Sequence, residues 1–236
     1  GMPTVTRCSF RDNSAKHGAA VDASSGTLTI VASHFRRNIA SEYAGAIQTS
    51  SQVSLAMDDC TFTGNCAQWG GALWVNGHST SNTIRDCLFK NNAATGGGAI
   101  CAANTRFIGC TFIGNVARAA GAASFGDNCI VMNSVFTGNT ANSGGACSLS
   151  GRNTALVNCT LTSNRAVHSA TWDYPGIGGA ISCNGDSVMQ ISNSILWDNL
   201  AESGSEIALI TARPVVGYRA PTAIISNTSI TPGSGA

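Results

Sequence analysis

The stretch FTGNCAQWGGAL, residues 62–73, contains the unit from which almost the whole chain is built. Its F/L-x-x-N-x-A signature occurs eight times in the 236 residues, and a variant of its GGA segment follows each signature. The signature asparagines recur every 23–27 residues, with one spacing of 35: Asn13, Asn38, Asn65, Asn92, Asn115, Asn139, Asn164 and Asn199. A period of this length is typical of repeat proteins, in which each unit buries its hydrophobic face against its neighbours.

Two apolar residues at positions i and i+2 precede each signature and indicate a strand with one buried face. In the third repeat, Leu55 and Met57 are followed three residues later by Cys60 and then by Phe62. The step of three reverses which side chains point inward, so a bend must separate the two strands. Each repeat is therefore predicted to hold three short strands: the apolar pair, the Cys-x-Phe segment and the segment that begins with GGA.

Equivalent residues of neighbouring repeats come into register if the chain winds as a coil and each strand pairs in parallel with its copy one turn later. An internal column of rings is then predicted from Phe10, Phe35, Phe62, Phe89, Phe112 and Phe136, continued by Leu161, Leu196 and Ile230. The neighbouring column admits only small side chains: Cys8, Ser33, Cys60, Cys87, Cys110, Ser134, Cys159, Ser194 and Thr228. The signature asparagines are predicted to form an amide ladder at a turn, where Asn also tolerates a left-handed backbone.

Half of the ten cysteines fall in that one column, and no pair has CxxC spacing. A zinc site needs a second cluster of cysteines or histidines, which the spacing does not provide. We therefore interpret the cysteines as buried thiols that act as small hydrophobes, and we predict no metal site.

An FxxN motif followed by GGA[ILV], repeated at this period, resembles the polymorphic outer-membrane protein repeat of chlamydial surface proteins and related repeats in other surface proteins. The resemblance extends from Cys8 to Ile207. It implies an all-β fold: a right-handed single-stranded parallel β-helix of the pectin-lyase type, a solenoid of about eight coils with three short strands per coil. It also implies an extracellular or cell-surface location.

Residues 1–236 are predicted to form a single β-helix domain. Because the repeat pattern begins and ends in mid-coil, we expect a segment of a longer repeat protein, with further β-helix coils or end-to-end association at its termini. Two breaks in the pattern predict outgrowth loops at about 167–178 and 210–222. Function in repeat scaffolds concentrates in such loops.

The first of these loops contains His168, Trp172, Asp173 and Tyr174, an aromatic stretch in a chain with only 6% Phe, Trp and Tyr. An exposed Trp-x-Tyr beside an acid suits sugar stacking or a protein contact, so these four residues are the predicted binding site. The alternative is that Trp172 covers the outside of a coil. The tryptophans at 69, 74 and 197 are expected on the outer surface as separate residues.

A catalytic site would need paired carboxylates, and the candidates are Asp58, Asp59 and Asp86. Stacking the repeats places Asp59 over Asp86, beside Arg85. The same column continues with asparagines in later repeats, which favours an ordinary turn position. No cofactor is expected, with Ca²⁺ at these acids as the alternative.

Charged residues make up only 11% of the chain, and 13 Lys+Arg nearly balance 12 Asp+Glu. A nucleic-acid partner needs a basic face, so none is expected. No apolar run approaches the roughly 20 residues of a membrane helix, so membrane insertion of this segment is not expected either. The leading hypothesis is a non-enzymatic cell-surface or secreted segment, resembling an adhesin or autotransporter passenger, that binds a host, matrix or glycan ligand. A polysaccharide lyase or hydrolase and a purely structural spacer are the alternatives.

Overall fold

The computed structural model describes residues 2–77, 82–169, 175–210 and 220–231, and these residues form a parallel β-helix without any α-helix. Each strand pairs in parallel with its copies in the neighbouring coils, so equivalent residues of successive repeats lie in register. The predicted right-handed solenoid of about eight coils is confirmed.

Three sheets form the walls of the helix, with nine, nine and eight strands among the described residues. The first sheet contains the strands of the apolar pair: Thr4–Thr6, Gly26–Val31, Val53–Asp58, Asn82–Arg85, Thr105–Ile108, Ile130–Met132, Thr154–Val157, Val188–Ser192 and Thr222–Ser226. The second sheet contains the strands around the Phe column: Ser9–Arg11, His34–Arg36, Thr61–Thr63, Leu88–Lys90, Thr111–Ile113, Val135–Thr137, Thr160–Thr162, Ile195–Trp197 and Ser229–Thr231. The third sheet contains the strands that follow the GGA segment: Val21–Ala23, Ile47–Thr49, Leu73–Val75, Ile100–Ala102, Ala123–Phe125, Cys147–Leu149, Ile181–Asn184 and Ile207–Ile210.

The structure adds a fourth set of short strands, the corner strands, between the second and third sheets. They are Ser14–His17, Ile39–Tyr43, Ala93–Gly96, Val116–Ala119, Thr140–Ala141 and Arg165–Ala166. Single bridges from Cys66 to Ile39 and to Ala93 join the two groups of corner strands. The sequence did not predict this set because the segments are short and lack apolar alternation.

The interior is filled by stacked columns, of which the phenylalanine column is the largest. Consecutive rings from Phe10 to Phe136 lie 4.4–5.0 Å apart between centroids, with interplanar angles of 1–10°. Isolated aromatic pairs prefer offset or edge-to-face contacts, so the parallel stacking here follows from the strand register, which repeats at about 4.8 Å. Leu161 and Leu196 continue the column and are fully buried.

The neighbouring Cys/Ser/Thr column selects short side chains that can form hydrogen bonds. Each member donates to the carbonyl oxygen two residues earlier, as Ser33 Oγ does to Val31 O at 2.9 Å. Several also accept an N–H from the preceding coil, as Ser134 Oγ does from Cys110 N at 3.1 Å. Cysteine and serine are interchangeable in this column because both place a donor at the γ position.

All ten cysteines are free thiols, and eight of them are buried. Burial raises the pKa of Cys110 and Cys159 to about 11, so neither thiol ionises at neutral pH. Only Cys8 and Cys66 are exposed. The interpretation of most cysteines as buried hydrophobes therefore fits the structure.

Three or four described residues of each complete coil adopt the left-handed conformation and turn the chain through its corners. In the third coil they are Asp59 with φ 50°, Gly64 with φ 64° and Gly70 with φ 62°. The expectation that a ladder asparagine occupies such a position was wrong, because the residue before each ladder asparagine adopts it. The left-handed residue directs its side chain away from the interior, whereas the ladder asparagine must be buried. Gly71, which follows the left-handed Gly70, has a different constraint. A Cβ on Gly71 would lie 2.1 Å from the carbonyl oxygen of Gly98 in the next coil.

The asparagine ladder runs along the corner between the second sheet and the corner strands. Asn92 Nδ2 donates to Asn115 Oδ1 at 3.0 Å and to Phe62 O at 3.1 Å. Asn92 Oδ1 accepts from both the backbone N and the Nδ2 of Asn65, at 2.9 and 3.0 Å. One amide therefore satisfies polar groups of three coils, and the amides from Asn38 to Asn199 are fully buried or nearly so.

Glu206 ends this ladder in place of a ninth asparagine. It occupies the alanine position of the degenerate GSEI segment, and it is only 7% exposed. Its Oε2 accepts from Asn199 Nδ2 at 2.6 Å, and its Oε1 accepts from Asn199 N at 3.4 Å. The carboxylate oxygens thus replace the amide oxygen that the next coil would supply.

Replacing a central ladder residue, Asn92→Ala, should lower the free energy of unfolding by about 3 kcal/mol or more, because several buried donors and acceptors lose their partners at about 1–3 kcal/mol each. Chemical denaturation measures this loss. Asn133→Gly is the matched control, since Asn133 is exposed and left-handed, and it should change stability by less than about 0.5 kcal/mol. Equal losses in the two variants would contradict a structural role of the ladder.

Glu206, which caps the end of the ladder, should make the stability of the last coils depend on pH. Burial is the main cause that raises the pKa of Glu206 above its ordinary 4.5, and the nearby Asp198 adds to it. The folded chain then binds the proton more tightly than the unfolded chain, so local stability falls as pH rises above about 4.5. Hydrogen exchange at Asn199 should show this decline in the natural protein and none in Glu206→Gln. Glu206→Ala should open more readily at every pH, and the cap is refuted if it exchanges like the natural protein.

Candidate ligand-binding site: an aromatic groove

The outer surface around the third coil collects most of the tryptophan and tyrosine side chains that the structure describes. Trp69 lies in a column at the third-sheet end of the corner, bridged to Tyr43 on one side and Gly96 on the other. Trp74 is the middle residue of its strand, and its side chain points outward because Leu73 and Val75 are buried. The two tryptophans therefore reach the surface on either side of one left-handed turn.

Four side chains form what we call the aromatic cluster: His17, Tyr43, Trp69 and Trp74. The His17 and Tyr43 rings stack with centroids 5.4 Å apart, and Tyr43 contacts Trp74 at 4.7 Å with the rings tilted by 58°. Trp69 is 40% exposed, so much of one indole faces solvent. The expectation of separate surface tryptophans was wrong for Trp69 and Trp74, since both line one groove.

Gly96 leaves space for the indole of Trp69, which lies in the preceding coil. A Cβ on Gly96 would lie 2.4 Å from Cζ3 and 2.5 Å from Cε3 of that ring. Residue 96 is not among the left-handed glycines, so the absence of a side chain is required by the indole and not by the backbone. The Trp69 ring is thus packed against the backbone of Gly96 and is still 40% exposed to solvent.

The groove has a volume of about 260 Å³ and combines an apolar floor with polar edges. Trp69 and Trp74 form one end. Cys101 and the small residues beside it form the floor, and burial raises the pKa of Cys101 to about 12, so the floor is uncharged. The polar edge consists of Asn76, Ser124 and Ser150.

Three buried polar side-chain atoms of the neighbouring coils are left without a hydrogen-bond partner among the described residues. Gln48 Oε1 and Thr49 Oγ1 belong to the strand that pairs with that of Trp74, and His17 Nδ1 belongs to the aromatic cluster. His17 Nε2 lies 3.7 Å from Glu42 Oε2, and Lys16 Nζ lies 3.1 Å from Glu42 Oε1. Polar groups therefore border the aromatic surface on the side away from the groove.

This arrangement is suited to binding. An indole face of fixed orientation, an uncharged floor and a few hydroxyl and amide groups are the features of sites that bind small polar molecules with an apolar face. None of the residues that line the groove in the described part of the chain is acidic or basic. The described residues of the groove therefore provide surfaces for stacking and groups for hydrogen bonding.

The binding loop predicted from sequence is only partly described. Trp172, Asp173 and Tyr174 lie outside the described residues. His168 is exposed at the start of that loop, with its Nδ1 3.4 Å from Glu202 Oε1. The loop at 167–178 therefore stays a prediction, and so does the loop at 210–222, most of which is also outside the described residues.

The predicted acidic candidates lie on a different wall. Asp59 and Asp86 occupy exposed left-handed turn positions with φ 50° and 48°, and Asp58 ends its strand in register with Arg85. The turn position is shared by Asn133 and later asparagines, which is what a left-handed corner favours. Among the described residues, no group of three His, Cys, Asp or Glu side chains could hold a metal ion. Catalysis or Ca²⁺ binding by these acids stays an untested prediction.

The geometry defines a right-handed β-helical repeat protein with an aromatic groove on its outer wall. The comparison with family models agrees: residues 1–133 match the right-handed β-helix region, and residues 133–150 match the Chlamydia polymorphic membrane protein repeat. The first match covers more than half of the 236 residues, so the chain belongs to the right-handed β-helix family. The predicted resemblance to the polymorphic membrane protein repeat is confirmed. Neither the curated proteins nor the solved structures gave a match.

The second match suggests an outer-membrane or surface protein. In the part of the chain that the structure describes, we find no helix with the length and apolar character needed to cross a membrane.

The fit between Trp69 and Gly96 can be tested directly. Gly96→Ala should displace the indole and change the near-ultraviolet circular dichroism and the tryptophan fluorescence. A strand Gly→Ala exchange without this contact would be neutral or stabilising by about 0.4–1 kcal/mol, so a loss of stability is the further sign of the clash. Ser143→Ala, in the same column two coils later, is the control and should change neither spectrum. Unchanged spectra in Gly96→Ala would contradict the placement of the ring.

Proposed function

We propose that this chain is a segment of a surface-exposed, passenger-like β-helical protein that binds a carbohydrate in the groove that has Trp69 and Trp74 at one end. The polymorphic membrane protein repeat supports the surface location. The observation that carries the ligand class is the exposed Trp69 face beside an uncharged floor with hydroxyl and amide edges. The protein acts by holding its ligand, and not by cleaving it.

A sugar ring matches the groove on each of its surfaces. One face of a pyranose presents C–H groups, which pack against an indole much as other apolar groups do. The hydroxyls around the ring require donors and acceptors, and Asn76, Ser124 and Ser150 supply both. A neutral sugar needs no charged partner, and none of the described residues that line the groove is acidic or basic.

The scaffold favours binding by pre-organisation. Trp74 is on a regular strand that pairs with a neighbour on each side, and Trp69 is fixed by bridges to two coils. Side chains held in this way lose little conformational entropy when a ligand binds. The outer wall of a β-helix can therefore bind a ligand of low intrinsic affinity, such as a sugar, without a deep pocket.

A cleaving enzyme is the less supported function. Glycoside hydrolysis needs two carboxyl groups on either side of the scissile bond, and the described residues that line the groove include none. The acids at 58, 59 and 86 would have to act at the edge of the first sheet, where Asp59 and Asp86 occupy exposed turns. We therefore place the ligand in the aromatic groove, with the loop at 167–178 as a second candidate surface.

Titration of neutral oligosaccharides selected on a glycan array tests this function. Trp69→Ala should weaken binding at least tenfold, while the melting temperature changes little because the indole is partly exposed. Trp197→Ala is the matched control, since Trp197 is 54% exposed on the second sheet, and it should bind like the natural protein. Full affinity in Trp69→Ala would refute the groove.

A double variant with Ala at 172 and 174 separates the two surfaces. If the double variant loses binding and Trp69→Ala keeps it, the ligand binds to the loop at 167–178. If no oligosaccharide binds to the natural protein, the proposed ligand class is wrong.

A further inference from the structure

The outer face of the second sheet carries a column of cations along the helix axis. In each strand of this sheet the middle residue faces the core, so the two flanking residues face outward. In four successive coils, the residue after the core residue is Arg11, Arg36, Thr63 and Lys90. These residues pair directly with one another in the parallel sheet. We call these four residues the basic column.

The charge on this face is of one sign. The nine strands of the second sheet contain three cationic residues, Arg11, Arg36 and Lys90, and no acidic residue in the part of the chain that the structure describes. The near balance of charge over the whole chain conceals this local excess. It is the feature that a composition count cannot detect.

Asp12, the acid that follows Arg11 in the chain, is already engaged by another cation. Asp12 accepts two hydrogen bonds from Arg37, to Oδ1 at 2.8 Å and to Oδ2 at 2.9 Å. That bidentate pair is the main reason that the pKa of Asp12 lies below its ordinary value. Among the described residues, no ion pair involves Arg11 or Arg36, and both are exposed.

A groove of about 420 Å³ runs beside these arginines. Besides Arg11 and Arg36, its outward-facing lining consists of Ser9, His34, Thr61 and Thr63. The two arginines therefore stack in consecutive coils, and Ser9, His34 and Thr61 form a parallel row of hydroxyl groups and an imidazole on the same shallow surface. Such a surface offers charge-assisted hydrogen bonds to oxyanions and neutral hydrogen bonds to hydroxyls.

We infer that the basic column and this groove bind a linear polysaccharide that carries sulfate or carboxylate groups. Strands in a sheet are about 4.8 Å apart, so the column presents a row of cations to a chain whose anionic groups repeat along its length. The arginine fork matches both sulfate and carboxylate oxygens. The hydroxyls of Ser9, Thr61 and Thr63 can bond to the sugar hydroxyls between the charges.

The composition of the surface favours a polysaccharide over other polyanions. Single-stranded nucleic acids are bound by exposed aromatic rings on which bases stack, and the one aromatic residue that lines this groove, Phe35, is 1% exposed. Anionic membranes attract larger clusters of about 4–8 cations. This face has three cations in single file beside polar residues.

This site goes beyond the neutral-sugar groove, because it lies on another wall and selects for charge. The two proposals can therefore fail separately. A second surface for an acidic glycan would let one segment hold two kinds of sugar chain, or two parts of one chain, at once.

The test measures binding of the natural protein to four probes by titration at low and at physiological ionic strength: heparin, polygalacturonate, neutral dextran and single-stranded DNA. We expect binding to at least one acidic polysaccharide, weakening steeply with salt, and none to dextran on this face. Heparin and polygalacturonate distinguish sulfate from carboxylate recognition. DNA that binds more tightly than both polysaccharides would overturn the inference.

Two charge-matched double variants locate the site. Arg11→Gln with Arg36→Gln should weaken acidic polysaccharide binding at least tenfold. Arg85→Gln with Arg106→Gln removes the same charge from the exposed face of the first sheet and should leave affinity within twofold. Equal losses would mean unspecific attraction and would refute the site, and so would an unaltered affinity in the first variant. Trp69→Ala should not affect this binding, which keeps the result independent of the neutral-sugar groove.

Discussion

The amide ladder is the interaction on which the rest of the helix depends. Where the chain turns from the second sheet into the corner, the carbonyl of each core Phe or Leu and the N–H of the next ladder residue point into a buried turn. Only a side chain with both donors and an acceptor can satisfy these groups, and Asn does so with hydrogen bonds of about 3 Å to two coils. Because each amide needs its neighbour at the same position, the ladder fixes the register of all three walls. The length of the chain between asparagines is free, which explains why a spacing of 35 residues is tolerated beside spacings near 25.

A fixed register turns outward positions into columns as well, and this is how the scaffold acquires function. At the corner near the third sheet, one column reads His17, Tyr43, Trp69 and Gly96, and then continues with Ala119, Ser143, Ile177 and Ser203. The large side chains lie in consecutive coils, and the glycine that follows them receives the Trp69 ring. On the second sheet, cations occupy equivalent positions in coils one, two and four. Differences between repeats at these outward positions leave the buried asparagine ladder and the phenylalanine column unchanged. The chemistry of the surface is therefore largely independent of the fold.

The sequence predicts the inside of this molecule well and the outside poorly. Core columns repeat identical residues, so Phe62 over Phe89 or Asn65 over Asn92 can be aligned by inspection. Alignment on the ladder asparagines does not reveal the aromatic cluster, because one extra residue between Asn38 and Gly45 shifts Tyr43 by one place. Counting back two residues from the second glycine of each GGA segment would have aligned Tyr43 with Trp69. The left-handed corner residues and the Asp12–Arg37 pair depend on backbone and side-chain geometry that a repeat pattern does not specify.

The way the ladder ends shows why its chemistry has a direction. An amide both donates and accepts, so each asparagine passes the same pattern to the following coil. A carboxylate only accepts, so Glu206 can receive the two donors of Asn199 but cannot extend the ladder further. An alanine at that position, as in the repeats before it, would leave those donors without an acceptor beside a coil that has no ladder asparagine. The departure from GGA to GSE therefore follows from the same hydrogen-bond requirement that selects asparagine eight times along the chain.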